Sequence, residues 1–267
     1  TVNTSQLNMT VSGTYTVTYS ATDADGNTGT ASRTVTVLNS WSEQQKIQAS
    51  DKQAIDFFGG SVAISVDGNT AIVSATNEDT GGTDAGAAYI FTWSGTSWSE
   101  QQKIQASDKQ GGDYFGQDVA ISGDGNTTIV GAWAEDTGGG NAGSAYIFTR
   151  SGTSWTQQAK IQASDTQSAD YFGTSVSISS DGNTAIVGAT GEDAVVGSNT
   201  LSNAGAVYIF SRSGTTWTQQ QKIQGSGKQA NGNFGSSVAI SENGSTAIVG
   251  AYAEDSVAGS AYIYRSD

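Results

Sequence analysis

Short runs in which bulky apolar residues alternate with small or polar residues recur along most of the chain. Between residues 98 and 149 there are four, separated by clusters of Gly, Asp, Asn and Ser: WSEQQKIQA (98–106), DVAIS (118–122), TTIVGA (127–132) and AYIFT (145–149). Alternation with a period of two residues, bounded by turn-forming residues, predicts short β-strands. A strand with one bulky and one small face suits sheets that stack face to face.

This group of four runs occurs four times. The units begin near Trp41, Trp98, Trp155 and Trp217, which lie 57, 57 and 62 residues apart, and Phe58, Phe115, Phe172 and Phe234 repeat these intervals. An insertion at residues 195–202 accounts for the longer third interval. Four short strands in a repeat of this length predict the blades of a β-propeller.

The composition supports an all-β fold and excludes several kinds of chemistry. The chain has no proline and only three leucines in 267 residues, which favours short strands over helices. It has no cysteine, which excludes disulfides and thiolate sites, and no histidine, the usual general base and zinc ligand. The net charge of -14 repels phosphates and anionic lipid. We therefore expect no nucleic-acid partner, and no apolar run is long enough for direct membrane insertion.

Residues 1–38 differ from the repeats. Two strand-like runs, TYTVTYSAT and TASRTVTV, flank the turn DADGN. This segment resembles the C-terminal half of a bacterial immunoglobulin-like surface module. The resemblance implies a partial β-module at 1–38, followed by a propeller domain at 39–267. Because a hairpin alone is marginal in water, either upstream sequence or strands from a neighbouring molecule would complete it.

The repeats resemble the FG-GAP repeat family, the blades of integrin-α-like propellers, and more closely its bacterial variant. The motifs that carry the resemblance are W-T-Q-Q-A-K-I, Y-F-G-x-S-V, I-V-G-A and G-S-A-Y-I-F, in this order. Two features depart from the family pattern. Thr76, Trp133, Thr190 and Tyr252 replace the proline of "GAP", and the long calcium loop of integrin-type blades is cut down to a DGN hairpin. The family's calcium site is therefore not carried over to these turns.

In this family the strand after "FG" is innermost and the W-T-Q-Q-A-K-I strand is outermost. We accordingly expect four blades of four strands, with residues 41–49 closing the ring as the outer strand of the last sheet (237–264). An open arc completed by another subunit and a fragment of a larger ring are the alternatives.

The same strand order places the Glu-Asp loops and the ASDKQ…DYFG loops on one acidic face. We expect ligand binding at the Glu-Asp pairs: Glu78, Asp79, Glu135, Asp136, Glu192, Asp193, Glu254 and Asp255. The candidate metal ligands are Asp56, Asp113 and Asp170, with Ca²⁺ as the candidate ion and no cofactor required. A solvated acidic surface that maintains solubility is the alternative interpretation, since dense D-x-D spacing is absent.

A Glu-Asp pair that recurs in every unit argues against a catalytic pair, which needs one asymmetric constellation. The sequence therefore predicts a non-catalytic, extracellular surface protein. In one hypothesis it is a subunit of a surface filament or layer, which contacts itself or a neighbouring surface protein through residues 1–38. In the other it is an adhesin domain that binds a glycan or protein through the acidic face, with calcium as a candidate requirement. The insertion at 195–202 is where we expect a ligand.

Overall fold

The computed structural model describes residues 2–3, 13–37 and 41–266, with the backbone alone at 2–3. Contacts divide the chain into two compact units, Thr1–Lys46 and Ile47–Asp267. The boundary expected at 38/39 lies outside the described residues. Almost all regular structure is strand, which confirms the all-β prediction.

The first unit contains a small antiparallel sheet. Its strands are β1 (Val2–Asn3), β2 (Gly13–Thr22) and β3 (Thr28–Val37), in the order β1-β2-β3. The carboxylate of Asp23 forms the β2–β3 turn by accepting hydrogen bonds from the backbone N–H groups of Asp25 and Asn27, at 3.0 and 2.9 Å. Val17 is buried, whereas most of β3 is exposed.

The second unit contains one antiparallel sheet per repeat, named here the first to fourth sheets. The first comprises β4 (Val62–Ile64), β5 (Thr70–Ala75), β6 (Ala87–Trp93) and β7 (Trp98–Ile104), and the second comprises β8 (Val119–Ile121), β9 (Thr127–Ala132), β10 (Ser144–Ser151) and β11 (Ser154–Ile161). The third comprises β12 (Phe172–Ile178), β13 (Thr184–Ala189), β16 (Ala206–Ser213) and β17 (Thr216–Ile223), and the insertion forms a separate hairpin, β14 (Ala194–Val196) and β15 (Asn199–Leu201). The fourth comprises β18 (Phe234–Ile240), β19 (Thr246–Ala251) and β20 (Ser260–Arg265), with a four-residue helical turn, α1 (Glu254–Val257).

The core of this unit lies between successive sheets. Ile72 and Ile90 of the first sheet pack with Val119 and Ile121 of the second, and the same arrangement recurs at the next two interfaces. The backbone N–H of Phe115 also donates to the carbonyl of Ala85, at 3.0 Å, and so ties the second sheet to the first. The equivalent hydrogen bonds tie the third and fourth sheets to the sheets before them. Stacking of the sheets therefore buries the apolar faces that the alternating sequence supplies.

The first strands of the four sheets converge on a common depression, which Ile64, Ile121, Ile178 and Ile240 line together. The turns after these strands are also linked in order by backbone hydrogen bonds, for example from Gly123 N–H to the Ser180 carbonyl at 2.9 Å. The strand after "FG" is thus the inner strand of each sheet.

The expected closing strand is not in place. Residues 41–49 form no strand, and the fourth sheet has three strands within the described part of the chain. Ile47 and Ala49 pack against the first sheet as Ile104 and Ala106 pack against the second, but among the described residues no sheet edge pairs with the segment, so no strand forms. No sheet covers this face of the first sheet among the described residues, so Val62 is 65% exposed, whereas its counterpart Val119, which packs on the first sheet, is 4% exposed.

Candidate functional site

An ionic cluster built around a buried glutamate lies among the loops of the second sheet. Lys160, in the outer strand β11, places its Nζ atom 2.7 Å from Asp108 Oδ2 and 2.9 Å from Glu135 Oε1. Tyr146 donates a 3.0 Å hydrogen bond from its hydroxyl to Asp108 Oδ1. Only 1% of Glu135 is exposed, so Lys160 compensates a charge that water does not reach.

The electrostatics of the cluster favour its charged form. Burial acts to raise the pKa of Asp108 and of Glu135, but hydrogen bonds and the charge of Lys160 outweigh it and hold both pKa values below their usual range. Burial acts to lower the pKa of Lys160, and the hydrogen bonds from Nζ to Asp108 and Glu135 reverse this, so the net pKa is raised. Burial first, and then the neighbouring carboxylates, raise the pKa of Tyr146. The cluster is therefore a stable ion-pair network at neutral pH.

The cluster recurs in the first and third sheets. The corresponding residues are Lys103, Asp51, Glu78 and Tyr89 in the first, and Lys222, Asp165, Glu192 and Tyr208 in the third. In each, the lysine comes from the outer strand, the glutamate from the Glu-Asp loop, and the aspartate from the segment before the sheet.

The fourth sheet has an incomplete cluster. Gly227 stands where the other sheets have the aspartate, and no described outer strand supplies a lysine. Glu254 is nevertheless 1% exposed. Its Oε2 atom accepts a 2.5 Å hydrogen bond from the Tyr262 hydroxyl, but its buried Oε1 atom has no hydrogen-bond partner among the residues that the structure describes.

The structure separates the two residues of each predicted Glu-Asp pair. The four glutamates are buried, whereas the four aspartates, Asp79, Asp136, Asp193 and Asp255, are exposed. Asp136 Oδ1 accepts a 2.8 Å hydrogen bond from the backbone N–H of Asn141, and Asp79 and Asp193 bond to their own loops in the same way. The aspartates are thus the members of the pairs that a ligand can reach, and their ligand role stays a prediction.

The candidate metal ligands are buried individually. Asp56, Asp113 and Asp170 are each 4% exposed, and each accepts a backbone N–H from the glutamine three residues earlier, at 2.5–2.6 Å. Burial raises the pKa of Asp113 and of Asp170 to about 6. In the ranges that the structure describes, no three His, Cys, Asp or Glu side chains come together in a group that could hold a metal ion. Calcium binding stays a prediction.

An aromatic cluster, which sequence reasoning missed, lies beside the acidic loops. The ring of Trp133 stacks on Tyr114, with centroids 5.5 Å apart, and meets the ring of Tyr171 edge-on at 5.4 Å. Trp133 occupies one of the positions at which this chain departs from the "GAP" motif, and this departure was the available sequence signal. Tyr114 and Tyr171 each follow one of the buried aspartates, which places the rings next to these loops.

The insertion forms the exposed hairpin β14–β15, and a depression lies beside the base of this hairpin. Asp170 and Asp193 line this depression together with Ser202 and Asn203. Two of the predicted site residues thus meet beside the insertion, where we expected a ligand.

Four antiparallel sheets that repeat in sequence and stack in chain order define a β-repeat protein. The chain belongs to the FG-GAP repeat family, whose model matches residues 41–91, 98–148, 155–210 and 217–264. Residues 1–37 match a second family, "Bacterial surface protein, Ig-like domain". Both families are typically non-catalytic, and together they indicate a surface protein.

No curated protein matches the chain significantly. Among solved structures it is similar to the Kuenenia stuttgartiensis hydrazine synthase, with a TM-score of 0.50 and 14% sequence identity over 82% of this chain. The chain spans about half of that structure, 49% of its length, and at this identity the likeness shows the fold alone. No helix within the described ranges is long and apolar enough to cross a membrane.

Proposed function

We propose that this protein is a non-catalytic, extracellular structural protein, a subunit of a surface filament or layer that assembles through β-strand contacts. One observation carries the proposal: β3 is ten residues long, almost fully exposed, and has a partner strand on one side only within the described residues. An exposed edge of this length presents unpaired backbone N–H and C=O groups, which favour pairing with another chain. The match to a bacterial surface family supports the surface location.

The experiment compares two double variants with the wild-type chain. T34K/T36K places two charges on the edge strand β3. T14K/T16K places the same charges on the same face but on the neighbouring strand β2, where Thr14 and Thr16 pair with Thr36 and Thr34, so the β3 edge keeps its own side chains. Light scattering and negative-stain electron microscopy, with calcium and with chelator, follow assembly. We expect filaments or fixed oligomers for the wild type and T14K/T16K, and monomers for T34K/T36K. A monomeric wild-type chain in both conditions would refute the proposal.

A second candidate function rests on the aromatic cluster of Tyr114, Trp133 and Tyr171. Aromatic rings beside carboxylates form a surface on which the apolar face of a sugar can stack while its hydroxyls donate hydrogen bonds. This supports an adhesin that binds a glycan. W133A should abolish binding on a glycan array, whereas Y252A, at the same position of the fourth repeat, should retain it. Equal binding by the two variants would argue against this function.

A further inference from the structure

The incomplete cluster of the fourth sheet indicates what is missing there. In the first three sheets the buried glutamate pairs with a lysine five residues after the tryptophan of the outer strand, as in Trp98 and Lys103. The fourth sheet buries Glu254 equally deeply, but its Oε1 atom has no hydrogen-bond partner within the described ranges. A buried carboxylate oxygen with no partner is costly. The site is therefore shaped for a cation that the described fourth sheet does not itself supply.

Residues 41–49, WSEQQKIQA, match the outer-strand sequence at 98–106 letter for letter. This segment carries Lys46 five residues after Trp41, and both side chains are exposed. The register of the first sheet, in which Tyr89 faces Lys103 and Thr92 faces Ser99, maps onto the fourth sheet. It places Lys46 opposite Tyr262 and Ser42 opposite Arg265. By analogy with Lys103 and Glu78, whose Nζ and Oε1 atoms are 2.7 Å apart, this register would bring the Lys46 ammonium to the Glu254 carboxylate.

The exposed surfaces at the two ends of the second unit are complementary. The first sheet exposes Val62 and Ile64, whereas the fourth sheet exposes Ile248 and Ile263 on its opposite face. The counterparts of these residues bury each other wherever two sheets stack, as Val119 and Ile121 do with Ile72 and Ile90. Ile47 and Ala49, near the end of the outer-strand segment, pack on the first sheet and so lie at this exposed end. Two different complementary surfaces on one chain generate head-to-tail association.

We propose that the fourth sheet of one copy receives residues 41–49 of a second copy as its missing outer strand, with Lys46 of the donor ion-paired to Glu254 of the acceptor. The first sheet of the donor then covers Ile248 and Ile263. This inference deepens the proposed function and rests on its self-assembly, but it assigns a second contact, separate from the β3 edge. Closure of the ring within one chain is the competing outcome.

The test uses disulfide trapping, since the chain has no cysteine. Separate S42C and R265C chains are mixed under mild oxidation and run on a non-reducing gel. We expect a covalent dimer from this mixture, and none from S42C mixed with S260C, which lies at the far end of β20. In addition, K46E in the S42C chain should reduce dimer formation about tenfold or more, and E254K in the R265C chain should restore it.

Two results would overturn the inference. In the first, the S42C/R265C double variant forms a disulfide within a monomer, whereas the mixed single variants form none. This result would mean that residues 41–49 pair with β20 of their own chain. Alternatively, no disulfide could form in either arrangement, so that β20 does not receive this strand. If wild-type filaments nevertheless form and T34K/T36K abolishes them, the proposed function stands without this contact. If the wild-type chain is monomeric, both fail.

Discussion

The carboxylate of Asp118, just before β8, accepts a 2.8 Å hydrogen bond from the backbone N–H of Val176 in β12. Its other oxygen accepts a 2.8 Å hydrogen bond from the hydroxyl of Ser61, before β4. One side chain therefore joins the first, second and third sheets. The corresponding residues of the other repeats are serines, so this carboxylate occurs once in the four repeats.

Removal of the Asp118 carboxylate should destabilise the second unit. We expect D118A to lower the free energy of unfolding by about 2 kcal/mol, because three hydrogen-bond donors, on Ser61, Val119 and Val176, lose this acceptor. D118N keeps one acceptor oxygen and should lose less. Denaturation in urea measures both changes. If D118A and D118N were both as stable as the wild type, the link between the sheets would have no energetic role.

Loss of a cluster lysine should be more costly. K160M leaves Glu135 charged and buried, and we expect the free energy of unfolding to fall by about 3 kcal/mol. K52M is the matched control. Lys52 is exposed, and its ammonium donates a hydrogen bond to the neutral side chain of Gln48 and not to a buried carboxylate. K52M should change stability by less than about 0.5 kcal/mol. Similar losses in the two variants would contradict a structural role for the cluster.

The buried aspartates should make stability depend on pH. Because burial raises the pKa of Asp113 and of Asp170 to about 6, the folded protein binds protons there that the unfolded chain, with its ordinary carboxyl pKa, releases. The stability that these two aspartates contribute is fully present below the ordinary pKa of an aspartate and is lost as the pH rises through about 6. We therefore expect D113N/D170N to lose less stability than the wild type between about pH 4 and pH 7.

Carboxyl NMR titration provides the direct measurement. Asp113 and Asp170 should titrate near pH 6. Asp181 is the internal reference, because hydrogen bonds, first from Ser179 and then from Asn183, hold its pKa below the usual range. Titration of all three residues below pH 4 would contradict the effect of burial.

The glycine ahead of β10 should not tolerate a side chain. Gly143 has φ 84°, and a Cβ atom there would lie 2.1 Å from the carbonyl oxygen of Phe172 in the next sheet. We expect G143A to cost more than about 3 kcal/mol or to prevent folding. Gly152 has φ 62°, and a methyl group there would meet no atom within 4 Å, so G152A should cost only about 1 kcal/mol. Thermal unfolding compares the two, and equal melting temperatures would contradict close packing at Gly143.

The candidate site was only partly predictable. The sequence indicated acidic loops at Glu135 and Asp136, but neighbouring residues in a turn point in different directions, and only packing decides which one is buried. Lys160, which pairs with Glu135, lies on β11, and the whole of β10 separates it from the Glu135 loop. The local sequence therefore does not connect the two residues. The contact of Tyr114 and Tyr171 with Trp133 joins three separate loops and could not be inferred from spacing.

The sequence by itself determined the repeat, the strands and their turns, because alternation and Asp-Gly pairs act over a few residues. It also determined which face of each strand is bulky, since the four units carry Val and Ile at equivalent positions. Only the tertiary structure decided which faces of the end sheets stay exposed and that, in the described part of the chain, the buried Oε1 atom of Glu254 has no partner. The identical letters at 41–49 and 98–106 adopt different structures, because a strand forms only where a neighbouring sheet edge is available to pair with it.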